Sequence, residues 1–321
     1  MKISKNIFAH KIIVFNILFL VSLFAHFDCS SNNKNSSQEN VDFDNVLEFY
    51  SNQSDFTDPG KYKYLYEGIS DDIPQIVNSV QGVILNLAQV ENENIPVPDR
   101  RINNEIHLDT VEKILKCLSI KENRPLPFSR SVDKRSVGIC THYVLLTCSI
   151  LRYKGIPARS RGGFEMYYSS NKHHDHWICE YWNVSEERWV RIDPEITDIM
   201  KKSLNINFNS LDLPKKAFMS GAEAWKECRS GEENPNHFGV MGNEWVGGWD
   251  FVLCEMILDF LALNKIELLP WEENRLSEKS TTRLTNDEYI LLDKASELVI
   301  AGDESFKKMR IFYKSNKELQ K

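Results

Sequence analysis

The chain has 321 residues, 42% of them hydrophobic and 26% charged, with a formal net charge of −7. That length suits one large domain or two modest ones around a sizeable core, and the composition is that of an ordinary soluble globular protein. Removal of residues 1–28 takes away three lysines and one aspartate and leaves −9. So acidic a chain is excluded as a general nucleic-acid binder, because duplex affinity rests on neutralising phosphates.

Lys2, Lys5 and Lys11 precede an apolar run over residues 12–27, interrupted by Asn16, Ser22 and His26. The run is long for a signal-peptide core and short of the roughly 20 apolar residues that a membrane span needs. Cys29 follows, then a Ser- and Asn-rich tract. A leader, a cysteine and a polar tether resemble a bacterial lipoprotein, which implies lipidation at Cys29. His26, Phe27 and Asp28 depart from the small residues of that family's cleavage box. A plain secretory leader and an uncleaved anchor are the other readings. All three place the protein in the cell envelope or outside the cell, tethered to the membrane through Cys29 or the leader in two of them.

Residues 1–29 are thus expected to be the leader and 30–60 a flexible tether with a short helix near residues 46–50, closed by the Asp58-Pro59-Gly60 turn. Asp72 and Pro74 mark a helix start, and Ile76, Val77, Val80, Ile84, Leu85 and Leu87 recur at helical spacing. Residues 91–105, with Pro96 and Pro98, read as a loop, and 110–120 as the next helix. A helix opening at Cys140 carries Val144, Cys148 and Leu151 on one stripe and stops at Gly155 and Pro157. Three strands should follow, over residues 158–166, 176–182 and 188–193. A hairpin turn centred on Val184-Ser185 would set His176 opposite Asp193 on one face. Residues 61–204 form the expected core. Residues 205–321 form a mostly helical extension, with helices near 222–228, 249–264 and, after the Thr285 to Glu288 capping box, through Ile300.

Seven cysteines are scattered with no CxxC pair, which argues against structural zinc and a dense disulfide framework. One disulfide is compatible with the count, and the sequence does not choose its partners. Cys140 at a helix start is suited to a lowered thiol pKa. His176 is the candidate base and Asp193 its orienter, the logic of acyl transfer. Each residue alone is more often structural; their order gives the set its meaning. His173, His174 and His176 offer a weaker metal reading, limited because adjacent strand residues point apart. His142 is read as a helix-surface or supporting residue. Eight basic residues within 124–161 face Asp133 alone. Pairing with acids elsewhere is favoured over a surround for an anionic substrate.

The ordered set Gly138-x-Cys140, Gly155-Ile156-Pro157-Ala158-Arg159, His176-x-x-x-Glu180 and Trp189-x-x-x-Asp193-Pro194 resembles the transglutaminase-like superfamily over about residues 110–200. The resemblance implies a papain-like α+β core with Cys140 as nucleophile, His176 as general base and acid, and Asp193 as orienter. It implies no cofactor and no metal. Thr141-His142 stands where many members carry a charged pair, no calcium loop is visible, and the upstream side chain that assists the oxyanion is unassigned. Two functions remain open. One is an exported thiol hydrolase or acyltransferase acting on a peptide, protein or cell-wall amide. The other is a catalytically silent binding or structural module at the cell surface. Nothing in the sequence speaks to oligomeric state.

Overall fold

A computed structural model describes residues 45–168, 172–241, 243–272 and 274–321, with the backbone alone for 243–245. The leader, Cys29 and residues 30–44 lie outside the described residues. Helix α1 (Val46–Ser51) stands where a short helix was expected, capped by the Asn45 side chain. Residues 45–60 are nonetheless not a loose tether. Phe49, Tyr50 and Thr57 are buried, and the Tyr50 hydroxyl donates to the Leu263 carbonyl at 2.8 Å. A polar stretch docks when its few apolar side chains find a ready pocket, which composition does not reveal.

Helix α2 (Ile73–Gln81) starts at the Asp72-Ile73-Pro74 signal, but ends at Gly82, short of the apolar repeat. Ile84 and Leu85 instead enter strand β1 (Ile84–Asn86), paired in parallel with β2 (Ser136–Gly138). A partner fifty residues away overrides the local helical spacing. A short helix, α3 (Leu87–Asn92), precedes residues 93–98, which are a loop as expected; α4 (Asp99–Glu105) takes up the second half of the expected loop, and α5 (Val111–Lys121) follows under a Thr110 cap.

Helix α6 (Cys140–Tyr153) begins and ends where the sequence places it. Gly155 at φ +74° provides the left-handed exit. All of α6 from Cys140 to Arg152 is buried, because β3 (Ala158–Glu165) and β4 (His173–Asn183) pack along it. Strand β5 (Arg188–Ile192) returns along β4. After α7 (Asp198–Ser203), strand β6 (Phe218–Ser220) joins the other edge of β3, and α8 (Gly221–Ser230) leads to β7 (Phe238–Val240) and β8 (Asn243–Gly247). The six strands run in the order β6-β3-β4-β7-β8, with β5 also on β4. Gly163 admits β6: a Cβ there would lie 2.3 Å from the Met219 carbonyl oxygen. Helix α9 (Trp249–Leu263) packs on β3 and α8, and α10 (Asn286–Ile300), with its capping box, and α11 (Phe306–Ser315) complete the chain. The class is α+β, and three strands come from the segment read as mostly helical.

The β4–β5 hairpin differs in register from expectation. Asn183 faces Arg188 rather than Glu186, because residues 184–187 make a four-residue loop in which Glu187 adopts φ +50°. The slip is two residues. An even slip leaves every side chain on its original face, so His176 and Asp193 stay on one side.

Candidate active site

Cys140 is the first residue of α6 and retains only 8% of its exposure. Its position is set by Gly138, where a Cβ would meet Ile84 Cγ2 at 2.9 Å and His142 Cβ at 3.0 Å. His142 closes the helix start: its Nδ1 accepts from the Ile139 N–H at 3.2 Å. That bond leaves the proton on Nε2, which is buried without a partner. Burial pushes the His142 pKa down to about 4. His142 is therefore a neutral, buried capping residue, not a helix-surface one.

His176, on β4, is buried and faces two carboxylates. Its Nε2 lies 2.7 Å from Asp193 Oδ2, which leaves Nδ1 for the thiol. Cys140 Sγ, a His176 ring nitrogen and a Glu195 carboxylate oxygen all lie within 4.8 Å of one another. Burial opposes the charged imidazole, but Asp193 outweighs it and holds the His176 pKa well above the usual range. Burial also works against the Asp193 carboxylate. His176, the Tyr167 hydroxyl and the Glu195 N–H overcome it and keep that carboxyl below its ordinary value. Burial holds the Cys140 thiol above its ordinary value, and the His176 bond and charge pull it back only in part, so the lowered value expected of a helix start is not what this buried position gives. The three residues that the sequence singled out thus converge at the end of α6.

The segment from residue 104 to residue 194 matches the family model described as the transglutaminase-like superfamily. Residues 104–194 belong to the transglutaminase-like superfamily. Among solved structures, a proposed cysteine protease from Cytophaga hutchinsonii is similar at 13% identity and a TM-score of 0.32, over 56% of this chain and 47% of that one. The chain thus spans about half the length of that protein. No curated protein matches the sequence significantly.

The transglutaminase-like core ends at Pro194, and the next residue is one that sequence reasoning missed. Glu195 is buried, its Oε2 stands 3.6 Å from His176 Nδ1, and its other oxygen accepts a hydrogen bond from Asn86 Nδ2. Asn86 arrives on β1, beside Gly138. No spacing rule links residues 86 and 195, so only the fold could pair them. Burial raises the Glu195 carboxyl to about 7, against the pull of His176. Its charge also opposes a thiolate at Cys140. Two consequences follow for Glu195→Gln. Cys140 should react faster with iodoacetamide at pH 8, where the wild-type carboxylate is charged, and at an equal rate at pH 5.5. A carboxyl raised in the folded state loses stability as pH climbs from its unfolded value through its folded one. The variant should therefore gain about 2–3 kcal/mol at pH 8 and little at pH 4, read from urea melts. Equal pH profiles for the two proteins would show that Glu195 does not titrate beside the thiol.

Glu165, the last residue of β3, and Tyr167 just after it also shape the site. The Glu165 carboxylate accepts from the Tyr167 and Tyr168 N–H groups, each at 2.7 Å. It thereby bends the chain so that the Tyr167 hydroxyl donates to Asp193. Glu165 also binds His174 Nδ1. His174 and His176 thus face different carboxylates, Glu165 and Asp193. Much of the basic cluster is paired with acids: Arg152 with Glu267, Arg159 with Glu180 and Asp303, Arg161 with Asp259, and Lys154 with Asp71, while Arg130 and Arg135 donate to backbone carbonyls. Trp177 is fully buried, and the Arg159 guanidinium lies 4.0 Å from the Trp189 ring, whose Nε1–H goes to Asp303. These tryptophans pack the core.

Proposed function

We propose that this protein is a thiol enzyme that cleaves an amide by way of a thioester on Cys140. The observation that carries the reading is the buried chain of contacts from Cys140 through His176 to Asp193. His176 Nδ1 takes the thiol proton, and the sulfur attacks the amide carbon. The Cys140 N–H at the start of α6 donates to the oxygen that becomes negative. Asn86 Nδ2, beside the thiol through Glu195, is the side-chain donor we assign to the same oxygen. The imidazolium returns its proton to the leaving amine, and water or a second amine resolves the thioester. No cofactor enters these steps. A peptide, protein or cell-wall amide is the substrate class in keeping with export, a reading that rests on the leader sequence.

The alternative is a silent module that retains the fold without turnover. The small exposure of Cys140 and the Glu195 carboxylate within 4.8 Å of its sulfur favour that alternative. Iodoacetamide labelling near neutral pH, read by peptide mass spectrometry, separates the two. Rapid labelling confined to Cys140 and suppressed by His176→Ala is expected of the enzyme. Slow labelling, or labelling spread over several cysteines, would leave the silent module standing.

A further inference from the structure

Two thiols that the proposed chemistry does not use stand against each other in the core. Cys148 lies two turns along α6 from Cys140, and Cys179 is in the middle of β4. Their sulfurs are 3.3 Å apart, and both residues are fully buried. A disulfide needs about 2.0 Å between sulfurs, so the two must close by roughly 1.3 Å, a distance within reach of small side-chain rotations. Cys117 and Cys254 lie instead against the Ser136 hydroxyl and the Ser277 carbonyl. The Cys148 thiol is drawn down, because the Cys179 bond and the Arg152 charge outweigh its burial.

We propose that Cys148 and Cys179 are a disulfide site, closed when the chain folds in an oxidising environment. The bond ties α6, which carries Cys140, to β4, which carries His176. Its value to catalysis rests on the proposed function; its formation does not. The chemistry is thiol–disulfide exchange with a small-molecule disulfide. The thiolate of one of the two cysteines attacks one sulfur of the reagent and releases one thiolate. The other cysteine then attacks the mixed disulfide, and a second thiolate leaves. The two protons lost by the cysteines end on the two released thiols, so the cysteine pair is oxidised and the reagent reduced. Both sulfurs are inaccessible in the folded protein, so the exchange belongs to the folding chain.

The test is to refold the full chain in a glutathione redox buffer, block free thiols at acid pH, and map peptides without reduction. The expected result is a linked pair of peptides containing Cys148 and Cys179, with Cys140 recovered as a free thiol. Dithiothreitol should lower the melting temperature by about 5–10 °C. The double variant Cys148→Ala, Cys179→Ala should show no response to reductant. Recovery of both cysteines as free thiols, or linkage of either one to Cys140, would overturn the proposal. Linkage with an unreactive Cys140 would sink the enzyme reading and leave the disulfide, and a reactive Cys140 without linkage would do the reverse.

Discussion

Replacing Asp193 with Asn should slow alkylation of Cys140 at pH 7 by about 10–100-fold while the protein stays folded. Asp193 is fully buried and bonded to His176 Nε2. Its negative charge is the main reason that imidazole stays protonated to high pH. Asparagine keeps the shape but loses the charge. The imidazolium then gives up its proton at lower pH, and the thiolate loses its positive neighbour. The sign is testable along the pH axis. Below the wild-type imidazole pKa the variant should be slower, and the two rates should converge once the pH is high enough for hydroxide to ionise the buried thiol unaided. Tyr167→Phe, which removes one donor to the same carboxylate, should give a smaller loss in the same direction. An unchanged rate in folded Asp193→Asn would mean that the carboxylate does not govern the thiol.

The second large effect concerns stability. Arg161 on β3 holds Asp259 on α9 through two hydrogen bonds, at 2.7 and 3.0 Å. It also faces Glu180, which receives Arg159 at 2.7 Å and Arg191 at 3.1 Å. Asp259 and Glu180 are buried. Arg161→Met should therefore cost about 3–5 kcal/mol in urea unfolding, because it leaves Asp259 buried and unpaired. Arg161→Met combined with Asp259→Leu should recover most of that loss, since the desolvation of both charges disappears together. Glu180 adds a pH dependence. Burial opposes its charge, but three guanidinium groups hold its pKa far below the ordinary range. Its contribution is present at neutral pH and is lost as pH falls into the acid range. A loss under about 1 kcal/mol for the single variant would show that water or a rearranged partner reaches Asp259.

Much of the site was legible before any coordinates. The ends of α6 follow from apolar spacing, Gly155 and Pro157, all local features. The Thr285 capping box is likewise closed within one turn, the Thr285 hydroxyl accepting from the Glu288 N–H and the Glu288 carboxylate from the Thr285 N–H. The strand at Arg188–Ile192 carries its Trp, Val and Ile in plain view. Strands β6, β7 and β8 were not legible. They are three to five residues long, and two of them lie in a Gly- and Asn-rich stretch. β6 and β7 form by hydrogen bonds to β3 and β4, far away in sequence, and β8 pairs with β7 over two positions only, so none leaves a local period.

What the sequence offered alone was Cys140, His176 and Asp193 as a candidate set, carried by ordered motifs that resemble the transglutaminase-like superfamily. What the tertiary structure decided was their surroundings. The hairpin slipped by two residues without parting His176 from Asp193, since side chains alternate with a period of two. The pairing of Asn86 with Glu195, the reach of Tyr167 to Asp193 and the meeting of Cys148 with Cys179 join residues between 26 and 109 positions apart. Contacts of that kind arise from packing of whole elements, which no local pattern encodes.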